Sequence, residues 1–156
     1  MERAREACLR LLDYRARSRG ELRDRLRRKG FDQRVIDAAL VELEAAGLVD
    51  DEGFARAWVQ ERLAHSPRGA LKMRWELRGK GVAEELIQRT LAEEMGHERE
   101  LEAALRAASR YAPRPGEDDT ARSRRLAQAL KRRGFTFDVI ETVLARARGA
   151  DNDDPA

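Results

Sequence analysis

The side chains that could carry out acid–base, nucleophilic or metal chemistry are few and scattered along the 156 residues. The two histidines, His65 and His97, lie far apart, and neither has a cysteine or a carboxylate at the spacing of metal ligands. The single cysteine, Cys8, falls in register with the apolar residues of a predicted helix, which favours a small core residue over a reactive thiol. No phosphate-binding glycine loop, nucleophile elbow or paired-carboxylate motif is present. The sequence therefore predicts no catalytic residue, no metal site and no cofactor, and the protein is interpreted as a binding protein.

Binding chemistry is concentrated in three short basic stretches. Cations outnumber acids by six to two over residues 19–29, by five to one over residues 66–80, and by six to none over residues 122–133. The net charge is only +3, so the position of these stretches matters more than the total charge. Such stretches suit an anionic partner. The alternative is that they are solvated faces whose arginines pair with glutamates along and between helices.

The basic stretches end at glycines that mark an internal repeat. Gly30, Gly81 and Gly134 are 51 and 53 positions apart, and each follows cations and precedes an apolar residue. Because a helix often ends at a left-handed glycine, each of these glycines is predicted to terminate a helix. The residues eight and four positions before each glycine are also apolar, which indicates a repeat of about 50 residues. These apolar residues are Leu22, Leu26, Met73, Leu77, Leu126 and Leu130.

Each copy is predicted to contain three helices, so the chain is predicted to be all-α, with three tandem three-helix repeats in an elongated row. The leading helices are expected over residues 2–17, 51–64 and 98–112. The repeats are expected over residues 1–47, 48–96 and 97–149, with a disordered acidic tail at 150–156. The third copy has a longer prolyl loop at 113–119, after which Thr120 is expected to cap the next helix.

The composition agrees with a helical protein and makes a membrane protein improbable. Charged residues make up 39% of the chain and aromatic residues only 5%. No apolar stretch approaches the roughly 20 residues that cross a bilayer, and no secretion signal is recognisable. A cytoplasmic location is therefore expected.

The middle copy carries a second sign of an interface. With Met73 and Leu77 facing inwards, helical geometry places Leu71 and Trp75 on the opposite side. Trp and Arg are the side chains that most often carry binding energy at protein contacts. The alternative is that Leu71 and Trp75 pack against a neighbouring repeat. The cations that flank them are Lys72, Arg74 and Arg78.

An ordered set of these motifs resembles the RecX family over nearly the whole chain. The central signature is the stretch 47–55, followed by Val59 and Arg62 and then by the stretch 68–82. No single short motif in this set is specific, whereas their order across three copies is. The first copy is similar to the family's opening repeat through Leu11, Leu12, Ser18, Glu21, Leu22, Leu26 and the stretch 29–31.

The resemblance implies a regulator of the RecA recombinase, acting in DNA repair, homologous recombination and the SOS response. Such a protein binds the RecA–DNA filament, lodges in its helical groove as a curved row of modules, and suppresses filament growth, ATP hydrolysis and strand exchange. A monomer is expected, with single- or double-stranded DNA as a further partner. By the same resemblance, the expected contact residues are Arg68, Lys72, Arg74, Arg78 and Lys80, and the outward-facing Trp75 is added to them from the helical geometry. A secondary basic surface comprises Arg27, Arg28, Lys29, Arg124, Arg125, Arg132 and Arg133.

Two other functions stay open from the sequence. A stand-alone nucleic-acid-binding helical module would use the basic second helices, although these helices are rich in Arg and lack a suite of Asn, Gln or Ser side chains for reading base edges. Its binding would be sensitive to salt and indifferent to sequence. A helical-repeat scaffold for some other partner is disfavoured only by the family resemblance.

Overall fold

The computed structural model describes residues 1–152, with side chains to residue 149. This part of the chain folds into nine α-helices without a strand, so the prediction of an all-α fold is confirmed. None of these helices is long and apolar enough to cross a membrane. The helices are α1 (Glu2–Leu12), α2 (Arg19–Arg28), α3 (Gln33–Ala45), α4 (Asp51–His65), α5 (Ala70–Gly79), α6 (Glu84–Glu94), α7 (His97–Ala108), α8 (Asp119–Arg132) and α9 (Phe137–Asn152).

The three repeated glycines end α2, α5 and α8 in the same way. Gly30, Gly81 and Gly134 have φ angles of +82°, +75° and +78°. In each case the next residue donates its N–H to the carbonyl five positions earlier, as Phe31 does to Leu26 at 3.2 Å. This is the Schellman arrangement, in which a left-handed residue closes the last turn and satisfies its carbonyls. The predicted helix stops are confirmed.

Three helix ends differ from the sequence prediction, one of them the end of α7, which stops at Ala108 and not at residue 112. Helix α1 ends at Leu12 and not near residue 17, and the Arg17 side chain turns back to donate to the Leu11 carbonyl at 3.2 Å. The prediction that Thr120 caps α8 was wrong, because Asp118 accepts from the Ala121 N–H at 2.7 Å and starts the helix earlier. At the other end of the chain, residues 153–156 of the predicted tail lie outside the described residues.

Two hydrophobic clusters hold the first and last groups of three helices. In the first cluster, α1, α2 and α3 pack around fully buried side chains that include Leu22, Ile36 and Leu40. In the second, α7, α8 and α9 pack around Leu130, Val139 and the almost fully buried Phe135. Each fully buried aliphatic side chain contributes about 1.5–3 kcal/mol of transfer free energy, so these clusters are the main source of stability.

Contacts divide the chain into two compact units. The first unit comprises Met1–Trp58 with Glu76–Thr90, and the second comprises Val59–Trp75 with the chain from Leu91 onwards. The division falls inside α4, inside α5 and inside α6. The middle copy of the sequence repeat is therefore shared between the two units, whereas the predicted boundaries follow the repeat itself.

Within the first unit, the start of α2 is joined to the end of α5. The Ser18 hydroxyl donates to the Lys80 carbonyl, and the Arg19 N–H donates to Asp51 Oδ1 at 2.7 Å. The backbones of Gly20 and Gly81 touch, because a β-carbon on Gly20 would lie 2.7 Å from the Gly81 α-carbon. We call this contact the first junction.

The second unit repeats the arrangement one module later. The Gly69 N–H donates to the Arg133 carbonyl at 2.9 Å, and the Leu71 N–H donates to the Gly134 carbonyl at 3.0 Å. Glu100, only 5% exposed, accepts from the N–H of Ala70 at 3.1 Å. We call this the second junction. An acid on a leading helix thus caps the second helix of the preceding module in both units, which satisfies a donor that a helix start leaves unpaired.

Candidate functional site

Helix α5 buries one face and exposes an aromatic side chain on the other. Met73 and Leu77 are fully buried, whereas Leu71 is 55% exposed and Trp75 is 66% exposed. Leu71 and Trp75 are one turn apart and therefore share a helix face. Their predicted outward orientation is confirmed, and the alternative of packing against a neighbouring repeat is not observed.

Trp75 lies beside a cation on the same helix. The Lys72 ammonium is 4.6 Å from the centroid of the Trp75 ring, within the distance at which a cation is attracted to an aromatic face. Lys72 itself is half-buried. The pair therefore presents a flat apolar surface and a positive charge together, a combination that suits a partner with both ring systems and negative charge.

A concave surface of the second unit gathers further cations around Lys72. It has a volume of about 430 Å³, and none of the described residues that line it is acidic. Two of its cations, Arg68 and Lys72, come from the predicted central set, and two, Arg132 and Arg133, come from the predicted secondary surface. The structure brings these two groups together, and we call the result the cationic pocket. Its polar lining residues are Ser66, Arg68, Lys72, Tyr111, Arg132 and Arg133.

The pKa of Arg68 reflects its partial burial and the charged residues around it. Partial burial lowers the pKa of its guanidinium, and the neighbouring cations Arg62 and Arg133 lower the pKa further. Burial and like charges both disfavour the charged form. The Glu61 carboxylate acts in the opposite direction, and the net result is a lowered pKa of Arg68.

The second junction holds Arg133 in place from both ends. Its carbonyl accepts from the Gly69 N–H, and its guanidinium donates to the Pro67 carbonyl at 3.3 Å. Gly134 approaches Lys72 so closely that a β-carbon on the glycine would lie 2.3 Å from that of Lys72. Arg133 and Lys72 are thus positioned by backbone contacts and not by flexible side chains alone.

Arg125, predicted as part of the secondary basic surface, is used within the fold instead. Its guanidinium donates to Glu117 through two bonds of 2.7 Å and to the Ala112 carbonyl at 2.9 Å. Hydrogen bonding from Arg125 lowers the pKa of the Glu117 carboxyl to about 2. The same guanidinium lies 5.9 Å from the ring centroid of Tyr111. Arg125 therefore fixes the 113–119 loop and supports Tyr111 at the edge of the cationic pocket.

Lys80 is also engaged within the fold, in the first unit. Its ammonium donates to Glu21 at 3.1 Å and lies 5.2 Å from the ring centroid of Trp58. Burial alone would raise the pKa of Glu21, but hydrogen bonds from Arg15 and Lys80 lower it to about 2. The positive charge of Lys80 is thus balanced by a carboxylate of the first junction.

The remaining central residues differ in exposure. Arg78 is 61% exposed and donates two hydrogen bonds to Glu84, at 2.7 and 3.1 Å. Arg74 is half-buried. An exposed ion pair of this kind contributes little to stability, so Arg78 can exchange Glu84 for a partner at small cost.

The other secondary cations lie on the surface of their helices. Arg27 is paired with Asp24 at 3.0 Å, and both side chains are at least half exposed. Arg28, Lys29 and Arg124 are exposed, Arg28 and Lys29 near the end of α2 and Arg124 on α8. None of the α2 cations is among the described residues that line the cationic pocket.

The residues that could carry out bond chemistry stay apart in the structure. His65 and His97 are both exposed. Cys8 is fully buried, and burial raises the pKa of its thiol, which disfavours the reactive thiolate. In the described part of the chain, no group of three or more His, Cys, Asp and Glu residues could hold a metal ion. What this surface presents is positive charge and exposed apolar area.

Two lining residues of the pocket escaped the sequence analysis. Tyr111 follows a leading helix, and Ser66 is an uncharged residue in the loop at the start of the second basic stretch, so neither was singled out by charge or by apolar spacing. The repeat register offered an indirect signal, because Arg133 occupies the same position before its glycine as Lys80 does. The register shows that the two residues occupy equivalent backbone positions. It does not show that the Lys80 side chain pairs with Glu21 whereas Arg133 lines the cationic pocket.

Comparison with known proteins agrees with the three-module organisation. Residues 4–43 match the family model described as RecX, first three-helix domain. Residues 50–91 match the second three-helix domain of RecX, and residues 98–144 match the third. The three matches follow one another in the order of the helices.

Full-length relatives point to the same family. The chain is 40% identical to the regulatory protein RecX of Mycobacterium avium (strain 104) over 146 residues, which cover 92% of this chain and 84% of that protein. It is 38% identical to the regulatory protein RecX of Mycolicibacterium smegmatis over 155 residues, covering 94% and 82% of the two chains.

Solved structures show the same fold. The crystal structure of RecX from Lactobacillus salivarius superposes with a TM-score of 0.85 at 23% identity, covering 93% of this chain and 94% of that one. A second crystal structure, of regulatory protein RecX, gives a TM-score of 0.82 at 23% identity, covering 91% and 71%. From the three domain matches and the identity to named relatives, the chain belongs to the RecX family.

Proposed function

We propose that this protein is a non-catalytic regulator that binds the RecA–DNA filament and restrains its growth, ATP hydrolysis and strand exchange. Membership of the RecX family supports the proposal, because its relatives are named regulatory proteins and the family resemblance implies RecA as the target. In this proposal the protein acts as a monomer in the cytoplasm, in DNA repair and homologous recombination.

The observation that carries the proposal is the exposed face of α5. Trp75 is 66% exposed although it is among the largest apolar side chains of the chain, and Lys72 lies against its ring. Exposed aromatic residues among cations are typical of binding surfaces, because a partner gains both apolar burial and charge pairing there. We assign Arg68, Lys72, Arg74, Trp75 and Arg78 as the filament contacts.

The other predicted contact residues receive different roles in this proposal. Lys80 and Arg125 hold the first junction and the 113–119 loop, because both are paired with carboxylates. Arg132 and Arg133 join the main contact surface through the cationic pocket. Further weak contacts are assigned to Arg27, Arg28, Lys29 and Arg124.

Tandem modules suit a target that repeats along its length. A filament presents the same surface on each protomer, so a chain with several modules can contact more than one. Once one module has bound, the next meets its site at a high effective concentration, and weak contacts combine into useful affinity. Regulation of this kind needs no bond chemistry from the regulator.

The proposal is tested by inhibition of RecA-driven strand exchange. The variants Trp75→Ala and Arg74→Glu with Arg78→Glu are expected to weaken inhibition by at least about tenfold, because they remove an exposed anchor or reverse two charges on one face. Helical circular dichroism should stay intact, since Trp75 and Arg78 are exposed.

Matched variants separate this surface from general effects of size and charge. Phe137→Ala removes another exposed aromatic side chain, and Arg3→Glu with Arg5→Glu reverses two exposed charges on α1. Both controls are expected to inhibit like the parent protein. Unchanged inhibition by the folded α5 variants would reject the proposed surface.

A stand-alone nucleic-acid-binding module is a second candidate, favoured by the four cations of the cationic pocket. It predicts tight binding to naked DNA at physiological salt, with a steep salt dependence, and no requirement for RecA. Strand exchange can be measured with RecA in large excess over the regulator that is bound to DNA. Loss of inhibition under that condition would favour this candidate over the filament regulator.

A further inference from the structure

The three left-handed glycine turns differ in what lies against them. A β-carbon on Gly81 would lie 2.8 Å from the Gly20 α-carbon, and one on Gly134 would lie 2.3 Å from the Lys72 β-carbon. Gly20 and Lys72 both belong to the second helix of the preceding module. A β-carbon on Gly30 would meet no atom of the described chain within 4 Å. The Gly30 turn is therefore an edge of the same kind as the two junctions, exposed and without an incoming helix.

The carbonyls of an occupied turn accept hydrogen bonds from the incoming chain. In the second junction the Gly134 carbonyl accepts from the Leu71 N–H at 3.0 Å, and in the first the Lys80 carbonyl accepts from the Ser18 hydroxyl. Backbone carbonyls at a helix end are strong acceptors that need such donors. An occupant of the Gly30 turn is expected to supply them, and a peptide backbone carries an N–H at nearly every residue.

The cation before the glycine also binds an acceptor on the incoming chain. Lys80 donates to Glu21 at 3.1 Å, and Arg133 donates to the Pro67 carbonyl at 3.3 Å. Lys29 holds the equivalent position in the first module, and its side chain is exposed. By this equivalence, Lys29 is placed to bind a carboxylate or a carbonyl of an occupant.

The first module lacks the acid that caps an incoming helix in the other two. Asp51 and Glu100 each accept from an N–H at the start of the incoming helix. In α4 and α7 two buried residues follow this acid three and four positions later, and in α1 the corresponding buried pair is Ala7 and Cys8. The residue at the place of the acid is Ala4. Because a helix start carries partial positive charge and unpaired donors, this edge is not suited to receive one.

Cations surround the edge instead. A groove of about 300 Å³ lies beside Lys29, and its described lining contains three cations and one acid. The acid, Glu6, lies 3.8 Å from Arg10, and both side chains are more than half exposed, so this ion pair is weak. The apolar part of the lining is buried or half-buried against the first hydrophobic cluster. We call this the first-module groove, lined by Arg3, Glu6, Ala7, Arg10, Lys29 and Phe31.

We propose that the first-module groove binds an acidic peptide segment of a partner protein. Carboxylates of the segment pair with Arg3, Arg10 and Lys29, its backbone N–H groups donate to the carbonyls of the Gly30 turn, and an apolar side chain covers Phe31. This assignment goes beyond the proposed function, because the described lining of the groove contains no residue of α5. The partner is therefore a protein other than the filament that the α5 face contacts.

A nucleic acid suits this groove less well than a peptide does. A phosphodiester backbone has no N–H groups for the carbonyls of the turn. Phe31 packs against the first hydrophobic cluster, so its ring is not a free platform on which bases could stack. Glu6 lies among the cations and would repel a strand that carries a charge on each nucleotide, whereas a peptide can place a neutral residue there.

Binding is measured by fluorescence anisotropy of a labelled oligoglutamate peptide that contains one leucine, with the full chain at low salt and without RecA. Arg3→Glu with Arg10→Glu is expected to weaken binding at least about tenfold, because two of the cations are reversed. Arg68→Glu with Arg132→Glu changes the net charge equally but alters the cationic pocket, and it should bind the peptide nearly as the parent does. Equal losses in the two double variants would overturn the proposal.

A matched pair on α1 makes the test more specific. Arg3 and Arg5 are both exposed, but two positions along a helix place them on different faces, and only Arg3 lines the groove. Arg3→Glu should weaken peptide binding about three- to tenfold and Arg5→Glu should not. Circular dichroism checks that both variants keep the parent's helicity. The same loss in both would show that the peptide responds to net charge only, which contradicts a defined groove.

Competition distinguishes a peptide site from a general polyanion site. In the Arg68→Glu, Arg132→Glu background, oligothymidylate of equal charge is expected to displace the labelled peptide at least about tenfold less well than the unlabelled peptide does. An oligoglutamate without the leucine should bind at least about threefold more weakly, because it buries no apolar side chain. Equal competition by oligothymidylate would identify a nucleic-acid site and overturn the proposal. Equal binding of the two peptides would contradict the contact with Phe31.

Strand-exchange assays with purified RecA keep this proposal separate from the proposed function. Arg3→Glu with Arg10→Glu is expected to inhibit like the parent protein, because the α5 face is unchanged. Loss of inhibition together with loss of peptide binding would make the groove a filament contact and overturn its assignment to another partner. Parent protein that binds the peptide through Arg3 but does not inhibit RecA would support the groove and reject the filament regulator.

Discussion

The two junctions use the same backbone arrangement but dispose of their cations in opposite ways. In the first junction, the cation before the glycine is Lys80, and its ammonium is balanced by Glu21 at 3.1 Å. In the second junction, the equivalent residue is Arg133, which lines a pocket whose described residues include Arg68 and Lys72 but no acid. The Lys80 ammonium of the first junction pairs with a carboxylate, whereas the Arg133 guanidinium of the second junction donates to the Pro67 carbonyl.

This difference teaches that the repeat specifies packing and not function. Ser18 and Gly69 stand at equivalent positions, twelve residues before the glycine of their own copy, and each bonds to the carbonyl of the cation in the next copy. Ser18 does so through its hydroxyl and Gly69 through its backbone N–H. Since backbone geometry carries the junction, the side chains around it are available for either stability or binding.

The largest expected effect comes from adding a methyl group at a joined glycine. Gly134→Ala would put a β-carbon 2.3 Å from that of Lys72, at a φ of +78° that L-residues disfavour. We expect a loss of at least about 3 kcal/mol in the free energy of unfolding, from strain and overpacking together. Urea unfolding followed by circular dichroism measures it.

Gly30→Ala is the matched control, because Gly30 has a φ of +82° and nothing within 4 Å of the added carbon. Only the backbone strain remains there, so a loss of about 1–2 kcal/mol is expected. If the two substitutions cost the same, the close contact at the second junction does not contribute to stability.

A smaller loss is expected when the acids of the two junctions are removed. Glu100 is buried and accepts from the N–H groups of Ala70 and Thr136, at 3.1 and 3.0 Å. Glu100→Ala would leave both donors without this partner, and we expect it to cost about 2–3 kcal/mol. Asp51→Ala removes one such bond, to Arg19, at a half-buried site and should cost about 1 kcal/mol. Equal losses in the free energy of unfolding for Glu100→Ala and Asp51→Ala would show that burial does not make Glu100 the more stabilising of the two caps.

A further modest effect is a pH dependence contributed by the first junction. Glu21 has a pKa of about 2, below its ordinary value of 4.5, so the unfolded chain binds its proton more tightly than the folded one. The stabilisation is complete above the unfolded pKa and is lost as the pH falls from about 5 to 2. Glu21→Gln should remove roughly 1–2 kcal/mol of this acid-dependent stability, after screening by solvent.

Unfolding of Glu21→Gln at several pH values checks this expectation, with Glu6→Gln as the control. Glu6 forms an exposed ion pair with Arg10 at 3.8 Å, which is expected to contribute less than about 0.5 kcal/mol. A parent-like acid transition in Glu21→Gln would show that the Glu21–Lys80 pair does not stabilise the first junction.

The parts of the fold that follow local rules could be predicted from the sequence. Gly30, Gly81 and Gly134 end helices because a left-handed residue is needed there, and the apolar spacing on either side indicates which faces are buried. The exposure of Trp75 followed from the same periodicity, because Met73 and Leu77 define the inner face of α5.

The parts that depend on long-range contacts could not be predicted. Charge alone made Arg125 and Arg133 look alike, but Arg125 is paired with Glu117 whereas Arg133 lines the cationic pocket. Lys80 likewise meets Glu21, which is remote in sequence. A basic stretch shows how much charge a helix carries, and only the fold decides which side chains find a carboxylate.

The most direct test of the central claim is cosedimentation of the protein with RecA filaments on single-stranded DNA, compared with DNA alone and with RecA alone. We predict strong cosedimentation with the filament, weaker binding to DNA alone, and a loss of at least about tenfold in filament affinity for Trp75→Ala but not for Phe137→Ala. Equal sedimentation of the parent protein and Trp75→Ala with the filament would contradict the claim that the exposed face of α5 is the binding surface.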